Sequence, residues 1–266
     1  MNIVVCVKMT PDAEDIEVRS DGSIGLDRAE WTIGGFDLQP MEAGVRLVES
    51  APGVTEPGSK VTALSAGPRM ISNSKLKKDV LSRGPDELVM VVDDGLKDAD
   101  TYTTAQVLAA AIRKLGQVDL VLCGEGSADL YFQQVGLQLG ELLGLPTLNA
   151  ISKIEKSGNG SESGLMVERS LEDEVEVIEV PLPAVLSVTV DIHEARLPTM
   201  KEILKASKKP VTEWSLSDVG VSTERQVEIV AVRAPEQVQR KGVMIEGSAE
   251  EAAKTLVGHL KREGVL

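Results

Sequence analysis

Aromatic residues are scarce in this 266-residue chain, which holds two tryptophans, two tyrosines and two phenylalanines. So few rings exclude the repeated base-stacking platforms used by single-strand nucleic-acid binders. Positive charge is also in short supply: 28 Lys and Arg face 42 Asp and Glu, and the formal net charge of −14 repels nucleic-acid backbones and anionic lipid head groups. Only Lys201 to Lys209, KEILKASKK, gathers cations. The two cysteines, Cys6 and Cys123, each lie in an apolar run without a CxxC pair, so both are expected to be reduced core residues rather than parts of a disulfide framework or metal site. His193 and His259 stand apart from any cluster with ligand spacing. No apolar stretch approaches the roughly 20 residues that cross a bilayer. The first strand pattern starts at Asn2 with no Arg-rich presequence or signal hydrophobe ahead of it, and the expected location is cytoplasmic.

What is present is an alternation of two periods. The runs 2–8 (NIVVCVK), 60–66 (KVTALSA), 87–92 (ELVMVV) and 119–124 (DLVLCG) are short, apolar and β-rich, as buried parallel strands are. Between them Leu38, Met41, Val45 and Val48 recur at helical spacing, as do Ala105, Leu108, Ala109 and Ile112, and then Phe132, Val135, Leu139 and Leu142. Asp37 can cap the first helix with Pro40 in its first turn, Gly84-Pro85 stops the second, and Gly116 closes the third. The result is an α/β fold with a doubly wound, mostly parallel sheet whose ligands sit at the carboxyl ends of the strands.

Residues 151–190 are strand-rich and predict an extension of that sheet, with Ser157 to Gly164 as a hairpin tip. Within this stretch 165–169 and 174–180 alternate with period 2 across an acidic turn, and Pro181 and Pro183 open a third run. After Lys209 the pattern fades for about thirty residues, as in an extended arm. Ser248 and Glu251 then form a capping box, Ala253, Leu256, Val257 and Leu260 one apolar stripe, and Gly264 a stop.

The loop Gly124 to Gly136, GEGSADLYFQQVG, joins a strand to a helix at the ligand-binding edge. Gly124 and Gly126 permit close backbone approach, and free N–H groups at a helix start can hold phosphate without a lysine. It is neither a GxGxxG fingerprint nor a Walker loop, and Glu125 and Asp129 repel phosphate unless they face ribose, adenine or a helix cap; a plain strand-to-helix turn is the alternative. Arg196 to Lys209 carries Leu197, Met200, Ile203 and Leu204 among cations, the pattern of an ordinary surface helix. No nucleophile–base pair, metal cluster or oxyanion device stands out, so any chemistry must come from a cofactor.

One segment adds a family resemblance. In Met166 to Val190, Arg169 is followed by Glu172, Asp173, Glu174, Glu176, Ile178, Pro183 and the run Val185-Leu186-Ser187-Val188, an order that resembles the signature of electron transfer flavoprotein β subunits. The resemblance runs through nearly the whole chain and is strongest over 1–40, 60–150 and 165–210. It is closest to the anaerobic, carnitine-pathway type through 78–88 (KDVLSRGPDEL) and the Gly124 loop.

That resemblance implies an adenine-nucleotide-binding domain over 1–206, with a docking loop at 192–206, and an arm and helix over 207–266 that contact a partner subunit. Gly124, Glu125, Gly126, Ser127, Ala128, Asp129, Leu130, Tyr131, Phe132, Gln133, Gln134 and Val135 would wrap AMP; Asp129 and Gln134 match the family, whereas Leu130, Tyr131, Phe132 and Val135 depart from its acidic and Thr-containing versions. The other pocket walls would be Cys6 and Lys8, then Gly34, Gly35, Phe36 and Asp37, then Ala66 and Gly67. Gly34-Gly35 replaces the usual Asn-Pro, Phe36 corresponds to an aromatic residue near the flavin, and Ala13 stands where some members carry a second, tyrosine contact. Leu197, Met200, Ile203 and Leu204 fall in the loop that docks an acyl-CoA dehydrogenase, with Met200 in the place of the anchoring Leu, and Ser170 replaces an acidic residue.

The implied function is an electron carrier rather than an enzyme. It is the β subunit of a heterodimer whose α subunit holds most of an FAD, and it buries AMP, shields the flavin, docks acyl-CoA dehydrogenases and passes their electrons to a quinone-linked oxidoreductase or a reductase. A flavin-bifurcating β subunit, with a second FAD in place of AMP and an NADH site, is the alternative within the family. A stand-alone ATP-binding stress or signalling protein is the alternative outside it, but leaves the signature and arm without a role. An adenylating enzyme would need an SGGxDS loop after the first strand, which is not there.

Overall fold

Apolar runs of five to eight residues, too short for helices and rich in Val, Ile and Leu, build the centre of the computed structural model, which describes residues 1–51, 54–157, 164–222, 226–227, 229–235 and 241–266. The strands are β1 (Asn2–Cys6), β2 (Lys60–Gly67), β3 (Glu87–Val92), β4 (Leu120–Gly124), β5 (Thr147–Ser157), β6 (Gly164–Ser170), β7 (Val175–Val180), β8 (Ala184–Val188) and β9 (Val211–Trp214). They form one nine-stranded sheet in the order β7-β6-β5-β8-β4-β1-β2-β3-β9. All neighbours are parallel except β5–β6 and β6–β7, so the acidic signature hairpin is an antiparallel extension of a parallel sheet. The chain steps outward from β1 to β2 and β3, then returns to the other side of β1 with β4. That reversal between β1 and β4 is the switch point where such sheets open a crevice at their carboxyl edge.

Helices α1 (Leu38–Val48), α2 (Ser74–Ser82), α3 (Thr101–Leu115) and α4 (Val135–Leu143) cover both faces. Met41, Val45 and Val48 of α1 and Leu76 and Val80 of α2 pack with Ile3 and Val5 on one side; Ala105, Leu108, Ala109 and Ile112 of α3 and Leu139 of α4 pack with Val4 and Leu64 on the other. Successive residues of β1 thus face opposite cores, which is why its sequence is apolar throughout. Gly116 ends α3 with φ +94°, as its position predicts. Cys6 and Cys123 are free thiols buried at the ends of β1 and β4.

Three expectations are revised. Phe132, placed in the α4 stripe by its spacing, lies in the loop before the helix and is half exposed. Asp37 stands at the N-cap position of α1 but makes no capping bond with its side chain, which turns instead to the Lys8 N–H. The stretch after Lys209 first adds the parallel edge strand β9, paired with β3, and then a short helix α6 (Leu216–Val219). Val211, Thr212 and Glu213 are exposed, so no buried face marks them as a strand. The antiparallel pair Met9–Pro11 and Trp31–Ile33 leads into the loop before α1, and its three-residue strands are too short for a period to show. The expected hairpin tip at 158–163 lies outside the described residues.

Contacts divide the chain into two compact units, one of residues 1–17 and 25–231 and one of residues 18–24 and 232–266. The second contains a bridge between Ser23 and Arg233 and the helix α7 (Ala249–Arg262). Its Ser248–Glu251 capping box is formed, and Leu256 and Val257 are exposed. Among the described residues no helix is long and apolar enough to cross a membrane.

Candidate nucleotide site and docking segment

At the switch point three chain segments meet, two of them joined by hydrogen bonds and the third by close packing. The Gly34 N–H donates to the Lys8 carbonyl (2.8 Å), the Asp37 N–H to the Gly34 carbonyl (2.9 Å), and the Lys8 N–H to Asp37 Oδ2 (3.0 Å). The end of β4 closes against this turn so tightly that a Cβ on Gly124 would lie 2.4 Å from the Phe36 carbonyl oxygen. Glycine at 124 is therefore a requirement of packing, and its first consequence is to bring the 124–135 loop onto the Gly34–Asp37 turn. Ala66 and Gly67 end β2 at the same edge, where the Gly67 carbonyl accepts the Asp93 N–H at 3.0 Å.

The loop is shaped by contacts that local sequence does not reveal. The Tyr131 ring lies over Gly126, with Cδ2 2.4 Å from where a Cβ would sit, and packs on Phe36 with centroids 5.0 Å apart and planes tilted by 43°. Tyr131 and Gln133 have φ of +49° and +57°, left-handed conformations that are uncommon outside glycine and cluster at functional sites. The Tyr131 N–H donates to the Ser127 carbonyl, and the Glu125 N–H to Val188 at the end of β8. Gln134 Oε1 accepts from the Thr101 hydroxyl at the start of α3 (2.8 Å), which fixes the far end of the loop.

Charge in the site is arranged in pairs. Lys8 Nζ contacts both oxygens of Asp129 at 2.6 and 2.7 Å and Ser127 Oγ at 3.4 Å, so a cation from just past β1 reaches a loop that contains none. Burial pushes the Asp129 carboxyl up, but hydrogen bonds from Lys8 and Ser127 outweigh it and hold the group below the ordinary aspartate value. Asp37, only 5% exposed, goes the other way: burial raises it to about 7 against the pull of the Lys8 N–H and ammonium. A hydrogen bond with Cys123 and burial push the Cys6 thiol well above its ordinary range, so it stays protonated under the site.

The N–H groups of Gly126, Ser127, Ala128 and Phe132 have no hydrogen-bond partner among the described residues, and α4 begins just beyond them. Free amides, a helix start and one ammonium whose acidic neighbour is already paired are the donor set that suits a nucleotide phosphate. The half-buried Phe36 and the exposed Tyr131 and Phe132 offer flat apolar surface beside it, so the residues present fit an adenine nucleotide. Among the described residues no group of three or more His, Cys, Asp or Glu side chains is placed to hold a metal ion.

The second feature is the segment Arg196 to Lys209, whose helix α5 (Met200–Ala206) starts on a Thr199–Glu202 capping box. An ordinary surface helix turns its apolar residues inward. Here Leu197, Met200 and Leu204 are 85%, 72% and 67% exposed, Ile203 is 38% exposed, and small Ala206 is the one buried side chain of the helix. The segment is fastened at both ends. Arg196 forks onto Glu42 of α1 and onto Glu49, and Lys209 Nζ donates to the carbonyls of Leu81 (2.9 Å) in the last turn of α2 and of Gly84 (3.3 Å) and Pro85 (2.6 Å) just past it. Burial lowers the Lys209 pKa from the ordinary lysine value.

No local pattern marks Glu42, Glu49, Arg196 or Lys209 as the tethers of this segment. One signal was available: Glu42 sits among Met41, Ala43, Gly44 and Val45, all buried, and an acid in such company needs a partner. The family pattern described as the electron transfer flavoprotein domain matches residues 23–219, 197 of the 266 in the chain, and spans β2 to β9, the Gly34–Asp37 turn, the Gly124 loop and α5. The chain belongs to the electron transfer flavoprotein domain family, whose members are electron carriers.

Proposed function

We propose that this chain is the β subunit of a heterodimeric electron transfer flavoprotein of the type closest to the carnitine pathway. In this reading the partner α subunit holds most of an FAD, the Gly124 loop buries AMP, the Phe36 edge shields the flavin, and the Leu197–Leu204 segment docks an acyl-CoA dehydrogenase. The observation that carries it is the exposure of Leu197, Met200 and Leu204 on a segment tied down at both ends, because a fixed, solvent-facing apolar surface of this kind suits a partner rather than a core. An unbranched thioether at the anchor position adapts to more than one partner pocket.

The site residues have separable tasks under this proposal. Free N–H groups from Gly126 to Phe132 would hold the AMP phosphate, Lys8 would set the local charge by pairing Asp129, and Phe36 with Tyr131 would present aromatic surface to flat rings. FAD would supply the redox chemistry, accepting electrons from the docked dehydrogenase and releasing them to a quinone-linked oxidoreductase or a reductase. Co-expression with a flavin-binding α subunit tests the assignment. The expected result is a heterodimer that carries FAD; a fully stable monomer with no affinity for such a subunit would contradict it.

A further inference from the structure

The docking segment leaves the core at one residue whose bonds exceed what tethering a chain needs. Arg196 donates from Nε to Glu42 Oε2 (2.6 Å), from Nη1 to Glu49 Oε1 (2.7 Å), and from Nη2 to Glu42 Oε1 (3.1 Å) and Glu49 Oε2 (3.0 Å). Its main chain is held on both sides as well, the N–H by Glu42 Oε2 (3.3 Å) and the carbonyl by Arg83 Nη1 (3.4 Å). Glu42 is only 3% exposed and Glu49 12%. Burial pushes the Glu42 carboxyl up, yet hydrogen bonds from Arg196 and Arg46 overcome it and keep the group ionised.

We propose that Arg196 is the positioning residue of the docking surface: the fork onto Glu42 and Glu49 sets where Leu197 and Met200 stand, and so sets the affinity for the dehydrogenase. This inference rests on the docking role proposed above. A planar guanidinium satisfies two carboxylates in one orientation, whereas a lysine at 196 would keep the charge but lose the fork and let the backbone turn. Met200 follows four residues later, across Leu197, Pro198 and the capping Thr199, so an error at Arg196 passes directly to the anchor. Glu42 also belongs to α1, the helix that starts just after Asp37, so one rigid element ties the docking segment to the Phe36 edge of the nucleotide site.

The test uses the purified heterodimer with its dehydrogenase and compares wild type, Arg196→Lys, Met200→Ala and the double variant. Arg196→Lys is expected to raise the half-saturating dehydrogenase concentration about tenfold, as misplacing an interface anchor does. The saturating transfer rate, FAD content and dithionite reduction should stay at wild-type values. In the Met200→Ala background the same change should add less than about twofold, because the residue acts through the anchor. Should Arg196→Lys disturb assembly, Glu49→Gln, which leaves Glu42 paired with Arg46 and Arg196, is expected to raise the same concentration by a smaller factor. Additive effects, or a fall in saturating rate and flavin content with no change in half-saturation, would overturn the positioning role. A normal Arg196→Lys beside a weakened Met200→Ala would remove Arg196 and leave docking intact, whereas an unchanged Met200→Ala would remove the docking reading and this inference with it.

Discussion

Asp37→Asn probes the keystone of the nucleotide site through its proton. The carboxyl is buried where the end of β1, the Gly34–Asp37 turn and the end of β4 meet, and its pKa rises from 3.8 to about 7. Between those values the folded protein holds a proton that the unfolded chain has released, so stability falls as pH rises through the window. At pH 5 the group is still protonated in the fold, and titrating it up to pH 7 and beyond costs about 3 kcal/mol. Asparagine keeps the oxygen that accepts the Lys8 N–H and never ionises, so the variant should lose this slope. His193 works in the opposite sense: burial and Arg46 hold its pKa below the ordinary 6.5, so its contribution grows as pH climbs through that value. Glu42, Asp100 and Asp129 are all held below their ordinary carboxylate values, so their contributions are lost toward acid pH and are common to wild type and variant. The informative quantity is therefore the difference between wild type and Asp37→Asn in urea unfolding free energy from pH 5 to 8. The variant should gain about 3 kcal/mol on wild type across that range. Parallel curves would refute the raised pKa and with it the dry, closed junction.

Three further perturbations follow from the same geometry. Gly124→Ala places a methyl group 2.4 Å from the Phe36 carbonyl, so the loop must retreat; thermal unfolding should report a loss of about 1–3 kcal/mol, and unchanged stability and AMP content would deny the close approach. Lys8→Met leaves the Asp129 charge unpaired at the site, which should weaken nucleotide retention about tenfold, read by chromatography of extracted nucleotide; equal retention would show that the ion pair is bystander surface. Met200→Ala removes an exposed apolar anchor, and dehydrogenase-driven flavin reduction at sub-saturating dehydrogenase should weaken by about 1–3 kcal/mol, with loss of bound flavin marking the residue as structural instead.

Local pattern was enough for the parallel core, because each buried strand writes its own apolar run and each helix its own stripe. The runs at 2–8, 60–66, 87–92 and 119–124 coincide with β1 to β4 to within two residues at their ends, and the Ser248–Glu251 box starts α7 where it stands. The acidic turn after Arg169 separates β6 from β7 for the same reason: period-2 alternation survives when one face is buried. Strand β9 leaves no such trace, since its pairing with β3 is made by backbone groups while Val211, Thr212 and Glu213 stay exposed and Trp214 alone packs toward the core. The shape of the site was hidden for a different reason. Lys8 and Asp129 are 121 residues apart, Arg196 and Glu42 154 apart, and the Tyr131 ring finds Gly126 only because the loop doubles back in left-handed turns. Such pairings are written in three dimensions, and a linear pattern carries only the residue types that take part.

The most direct test of the proposed function is to purify the chain with its flavin-binding partner, extract the nucleotides and count them. One FAD and one AMP per heterodimer is the expected result. Two FAD would contradict the simple carrier in favour of a bifurcating subunit, and ATP as the sole nucleotide would contradict electron carriage altogether.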